Sequence, residues 1–373
     1  MLELLREFKI GKPQIFAGLL LLSFLAQCLW VAGRWKFSDL EYEYIASGRQ
    51  SSLGRQFRVS SPATSSIAAL TLRLTAALRS VAPARIKTAL AIPRPWLLRL
   101  PFVMFGVWLG GALWWVARRL FGDEGGYIAL ALYCFSPAMV MVSSNIGPEI
   151  ILAWSGFGLI YTAIGVAHTV YASPRKWVPR IALLGISIGI CLSTVLWSFM
   201  LVLLAFAFML YLTPGRRRAV LVVLGGASAV GLCIFVFFSW LSGGAGLGAS
   251  ALVTPRPTLE MVRNLWYVLA DGYVLVALLV FVLAAYWSWP RARYFGNTAP
   301  LITSFLTVLL FTLVPAMPAL GLSFIFVFIG GVAADLLETQ ARPSFAFLFV
   351  STVLLKAISS LILLARWTQQ NFL

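Results

Sequence analysis

The chain has 373 residues, of which 61% are hydrophobic and only 11% charged, with 29 lysines and arginines against 12 acids. Soluble domains run nearer half apolar and a quarter charged, so a soluble enzyme, a disordered tail and a secreted disulfide scaffold are excluded. The apolar runs are continuous, not alternating, which excludes a β-barrel and leaves an all-α, polytopic integral membrane protein.

The net charge of +17 would suggest nucleic acid in a soluble protein. Here short basic loops between apolar runs explain it, because they orient membrane helices, and no nucleic-acid partner is expected. Residues 1–33 form an N-terminal segment and a first crossing. Arg6, Lys9 and Lys12 precede an apolar run from Gln14 to Val31. The run is long enough to span and no small-residue cleavage site follows it, so it reads as a helix with a cytoplasmic N-terminus and not as a signal peptide.

Residues 34–99 are the longest polar stretch, and lie outside if the first helix crosses. Asp39, Glu41 and Glu43 fall within five residues of one another. Further on, Ile67, Leu70, Leu74, Leu78 and Val81 recur at helical spacing, flanked by Arg73 and Arg79. This predicts an amphipathic helix, either lying in the membrane surface or packed on the bundle.

Residues 100–215 carry core crossings and residues 216–373 the C-terminal ones. Apolar segments lie near 98–116, 127–144, 149–171, 181–212, 219–241, 265–289, 300–314, 316–332 and 345–365. The basic clusters at Arg118-Arg119, Arg175-Lys176 with Arg180, Arg216 to Arg218, and Arg291 with Arg293 fall on one side only if 181–212 crosses twice. That predicts a break near Ser193, roughly eleven crossings and an extracytoplasmic C-terminus in a cytoplasmic (inner) membrane.

On that topology Asp39, Glu41, Glu43, Glu149, Glu260 and Asp271 lie at the outer side. An ionised carboxylate at mid-bilayer costs about 2.5–3.5 kcal/mol on insertion scales, so Asp271 is expected to face a wet cavity. Singly, each acid has a plain reading. Glu149 follows Gly147-Pro148 and suits the first turn of a helix; Asp39 and Glu41 suit a solvated loop. The four cysteines (Cys28, Cys134, Cys191, Cys233) form no CxxC pair and read as packing residues. The single His168 has no second histidine for a metal site, and no cofactor motif is present.

The texts SDLEYEYIASG, RLPFVMFGVWLGGALWWVARRLFGDEGGYIALALYCFSP and VMVSSNIGPEIILAW, in that order, resemble the GT-C glycosyltransferases, in particular the protein mannosyltransferase and aminoarabinose transferase type. The likeness covers roughly residues 14–170. It implies inverting transfer of a sugar from a polyprenyl-phosphate-type lipid carrier to an extracytoplasmic acceptor, with membrane lipids and that donor as partners and no cofactor. On this resemblance Asp39, with Glu41 as rival, stands where the first-loop acid is expected, and Glu149 where the second-loop acid is expected. Tyr44 is a candidate to orient the sugar, and Asp271 to line the substrate cavity. Arg55, Arg58 and Arg99 are candidates for the phosphate, since a guanidinium matches phosphate oxygens. Relatives usually carry histidine-proline-proline-leucine after the acidic motif, where this chain reads Ser61-Pro62-Ala63-Thr64. Two other functions stay open: a non-catalytic GT-C-like subunit of a membrane protein assembly, and a transporter or lipid flippase.

Overall fold

The computed structural model describes residues 12–49, 61–81, 95–171, 177–242, 273–288, 318–338 and 342–370. Among them all regular structure is helical: α1 (Lys12–Arg34), α2 (Asp39–Arg49), α3 (Pro62–Val81), α4 (Pro95–Cys134), α5 (Pro137–Ser143), α6 (Pro148–Thr169), α7 (Val178–Thr194), α8 (Phe199–Leu212), α9 (Arg217–Leu241), α10 (Tyr273–Ser288), α11 (Pro318–Leu337) and α12 (Arg342–Gln370). Six of these are long and apolar enough to cross a membrane, and α7 and α8 are shorter apolar helices. The protein is a multi-pass membrane protein. The sequence span at 300–314 lies outside the described residues.

Local chemistry explains the interruptions. α4 folds back at Gly122, whose φ of 83° is a left-handed conformation that glycine adopts without a Cβ penalty. Arg118 and Asp123 form an ion pair across that turn. The segment 181–212 breaks as its length demanded. Val195 is extended (φ −148°, ψ 122°) between α7 and a 3₁₀ turn, Leu196–Ser198, that leads into α8. The break lies two residues beyond Ser193.

Between apolar helices in lipid, close packing and not water exclusion supplies the attraction, and small residues permit it. α7 and α9 meet through Gly185, Gly189 and Gly231; a Cβ on Gly189 would stand 2.5 Å from the Cβ of Ile234. α4 and α11 meet through Gly125 and Gly330, where a Cβ on Gly330 would reach the Gly125 carbonyl at 2.5 Å. α11 is enclosed by its neighbours, with Leu322, Phe324, Phe326, Val327 and Ile329 fully buried. It packs on both α4 and α6 and forms the middle of the bundle.

Two ends of the bundle can be told apart by contacts. At one end the residues after α1 meet the start of α4 and the residues before α6. At the other, Arg216 donates to the Val170 carbonyl and covers the Tyr171 ring. The end of α6 and the basic cluster at 216–218 therefore sit at a common end, as two crossings between them require; Arg175 and Lys176 lie outside the described residues.

α3 lies at the first end, against α2 and touching α4, α6, α7 and α9. Its first half is buried through small side chains, Ala63, Thr64, Ser65 and Ala68. Ser61 and Thr64 share a hydrogen bond of 2.7 Å, as do Ser47 and Ser65. Its second half projects Leu70, Arg73 and Leu74 outward. At Leu70 and Leu74 the apolar stripe thus faces away from the bundle, as in a surface-lying amphipathic helix, whereas Ile67 packs against the core.

Candidate functional site

The site grows from a helix start. Ser38-Asp39-Leu40-Glu41 has the S-x-x-E spacing of a capping box. The Ser38 hydroxyl accepts the Glu41 N–H at 3.3 Å, and Glu41 Oε2 accepts the Ser38 N–H at 2.8 Å. The carboxylate then reaches further. Arg99 donates from Nε to Oε1 at 2.8 Å and from Nη2 to Oε2 at 2.7 Å, the bidentate fork that a guanidinium offers. The Ile146 N–H donates to Oε1 at 2.9 Å.

Arg99 is fully buried and spends its other donors on the end of α1. Nη1 donates to the carbonyls of Ala32 (3.0 Å) and Trp35 (2.9 Å), and Nη2 to that of Lys36 (3.0 Å). Those are carbonyls a helix C-terminus leaves without intrahelical partners. The Phe37 ring lies 4.9 Å from the guanidinium carbon. One cation thus closes the end of α1 and one anion opens α2, each matching the helix dipole at its terminus.

This places two sequence candidates differently from expectation. Glu41, expected as a catalytic acid, is 1% exposed with both oxygens occupied. Arg99, expected at a substrate phosphate, has all five N–H groups committed within the chain. A buried charge is tolerated only when paired and hydrogen-bonded, and here each satisfies the other. The S-x-x-E spacing of Ser38 and Glu41 is the sequence signal by which Glu41 could have been found as a helix cap. The Ile146 amide had no sequence signal.

What the pair brings together is the candidate site. Ile146 precedes Glu149 by three residues, and Glu41 precedes Tyr44 by three. Tyr44 is 8% exposed. Its phenol is held well above the usual tyrosine range, first by burial and then by the carboxylates of Glu149 and Glu43. Acids from two distant parts of the chain therefore act on one buried hydroxyl. Glu43 and Glu149 are half-buried, and Asp39, in the first turn of α2, is exposed. Arg55, Arg58 and Asp271 lie outside the described residues. Cys28, Cys134 and Cys191 are buried as packing residues, whereas Cys233 is exposed.

Residues 82–241 match the family model for dolichyl-phosphate-mannose-protein mannosyltransferase. No curated protein sequence matches the chain. Solved structures do. ArnT from Cupriavidus metallidurans in the apo state superposes with a TM-score of 0.60 at 14% identity, over 88% of this chain and 60% of that one. The oligosaccharyltransferase from Archaeoglobus fulgidus gives 0.58 at 13% identity, over 95% of this chain and 53% of that one. ArnT bound to undecaprenyl phosphate gives 0.57 at 13% identity, over 96% and 73%. The chain thus spans less than two thirds of the first two. These proteins are glycosyltransferases of the GT-C fold, and the chain described here, with its helical bundle and its acid-bearing α2 joined to the head of α6, is a membrane protein of that GT-C fold.

Proposed function

We propose that the protein is a membrane glycosyltransferase that moves a sugar from a polyprenyl-phosphate-type carrier to an acceptor at the extracytoplasmic face of the inner membrane. The observation that carries this reading is the hydrogen bond from the Ile146 N–H to Glu41, which joins the segment bearing Tyr44 and Glu43 to the segment bearing Glu149 at one end of the bundle. The fold adds support, since ArnT of this fold was solved with undecaprenyl phosphate bound. An inverting transfer needs a base beside the acceptor hydroxyl. Glu149 and the exposed Asp39 are the two carboxylates for that task. Tyr44 stays protonated and donates a hydrogen bond to a sugar oxygen. By their sequence, Arg55 and Arg58 are the candidates for the departing phosphate, and Asp271 is a further candidate toward the substrate.

The test uses the full chain in liposomes with a radiolabelled sugar on undecaprenyl phosphate and a mixture of outer-face acceptors. Label leaving the lipid fraction, dependent on intact Glu149 or Asp39, is the expected result. Release that persists in the Glu149→Gln, Asp39→Asn double variant overturns the mechanism.

A second reading, a non-catalytic subunit of a membrane assembly, is favoured by one observation. Glu41 and Arg99, both candidates for chemistry, are consumed by structure. Purification in mild detergent separates the two readings, because an assembly subunit comes away with stoichiometric partner proteins.

A further inference from the structure

α2 carries three buried side chains at a spacing of three, Glu41, Tyr44 and Ser47, and residues three apart lie on one side of a helix. Tyr44 is the middle member, about 4.5 Å along the axis from each neighbour. On one side of it Glu41 is fastened to Arg99 and to the Ile146 N–H. On the other side Ser47 is fastened to α3: its Oγ lies 2.7 Å from Ser65 Oγ, and both hydroxyls are buried. The protons of this pair have one consistent arrangement. Ser47 Oγ donates to the Tyr44 carbonyl at 3.0 Å. A hydroxyl has one proton to give, so Ser47 accepts from Ser65, and the chain runs from Ser65 through Ser47 to the Tyr44 backbone. Ser65 is itself fixed by the first turn of α3. Its N–H donates to the Ser61 carbonyl at 3.0 Å, and the Ser61 and Thr64 hydroxyls share a bond of 2.7 Å.

A short helix with one polar fastening can pivot about it. Tied at Glu41 alone, α2 would turn about the Arg99 contact and carry Tyr44 with it; the hydroxyl pair is the second point that sets its angle. We propose that Ser47 and Ser65 are positioning residues for sugar transfer, which hold the Tyr44 phenol where it meets the sugar. The inference rests on the transferase reading above and adds the residues that aim Tyr44. Neither serine touches substrate. The two differ in what their loss leaves behind. Without the Ser65 hydroxyl, Ser47 still donates to the Tyr44 carbonyl, so no donor is stranded and only the tie to α3 is lost. Without the Ser47 hydroxyl, Ser65 stays buried with its acceptor gone. Ser65→Ala is therefore the cleaner probe.

The experiment uses the full chain in liposomes with the radiolabelled sugar on undecaprenyl phosphate, and compares Ser65→Ala, Tyr44→Phe and the double variant. Ser65→Ala should lower transfer at saturating donor roughly tenfold, the scale of a sub-ångström misplacement. Ser65→Cys, whose thiol is a weak donor, should restore part of that loss. In the Tyr44→Phe background Ser65→Ala should add nothing, because a residue that acts through the phenol has no effect once the phenol is gone. Losses that multiply in full overturn the proposal, since a serine that only steadies the fold acts alike in both backgrounds. Thr71→Ala is the control. Its hydroxyl bonds within α3, to the Ile67 carbonyl, and transfer should stay at the wild-type level; a loss there equal to that of Ser65→Ala also overturns the proposal.

A second readout needs no transfer. The Tyr44 phenol is held above the ordinary tyrosine range by burial and by the Glu149 and Glu43 carboxylates. In alkaline difference spectra, each protein against its own Tyr44→Phe counterpart, wild type should stay silent near pH of about 10 and Ser65→Ala should show a tyrosinate step there. A silent Ser65→Ala spectrum overturns the positioning role whether or not sugar moves. A step from a protein that transfers no sugar sinks the transferase reading and leaves the tie between α3 and Tyr44 standing.

Discussion

The N–H of Ile146 donates to the carboxylate of Glu41 at 2.9 Å, a bond between residues 105 apart in the chain. It is the single direct polar link described between the segment that carries Tyr44 and the segment that carries Glu149. Through Arg99 the same carboxylate is fastened to the end of α1 and the start of α4. Four segments therefore share one ion pair.

Removing one partner strands the other charge in the interior. Glu41→Ala or Arg99→Met should each cost about 3–5 kcal/mol. The Glu41→Leu, Arg99→Met double variant should recover a large part of that loss, because no charge is left buried. Thermal unfolding of the detergent-solubilised variants reads the difference. Singles no worse than the double would show that the pair is not the fastening.

The acids that remain available divide by role. If Glu149 is the base, Glu149→Gln should lower sugar transfer by about 10²–10⁴-fold while Asp39→Asn costs little; if Asp39 is the base, the order reverses. Transfer rates at saturating donor decide which. Both variants should unfold at the wild-type temperature, since neither residue belongs to the Glu41–Arg99 network.

Tyr44 gives a pH signature. Its folded value is raised above the unfolded value of about 10 by burial and by the Glu149 and Glu43 carboxylates. The folded state therefore holds this proton more tightly than the unfolded state. The associated stability is fully present below pH of about 10 and is lost as pH rises above it. Tyr44→Phe should lose less stability than wild type across that alkaline window. The difference spectrum of wild type against Tyr44→Phe should show no tyrosinate step near pH of about 10 until the protein is denatured.

Gly189 tests the helix interface. A leucine there would drive into Ile234 and the Gly231 carbonyl. Overpacking of this kind costs about 1–3 kcal/mol. Gly225, with open space around its Cβ position, is the control, and Gly225→Ala should be neutral or slightly stabilising. Unfolding temperature compares them, and equal shifts would remove the close-packing account of α7 and α9.

Much of the fold was legible in the sequence. Continuous apolar runs gave the membrane helices, and the charge alternation required 181–212 to break, as it does at Val195. The stripe through Leu70 and Leu74 is periodic, but whether it faces lipid or protein depends on which residues of α3 meet other helices. That is decided by Ala63, Thr64, Ser65 and Ala68, small residues with no hydropathic signal. The candidate site was legible only in part. Acids gathered by segment pointed to one end of the bundle, and Glu43 and Glu149 lie on segments joined there. Which of them is spent on structure depends on Arg99, 58 positions from Glu41, and on a backbone amide, and neither relation leaves a pattern in a single chain.

The reversal at Gly122 has no loop to lengthen or shorten. With Arg118 clasping Asp123 across it, the two halves of α4 enter the bilayer as one hairpin and cannot slide past each other. In any movement of the bundle the two halves are then carried together.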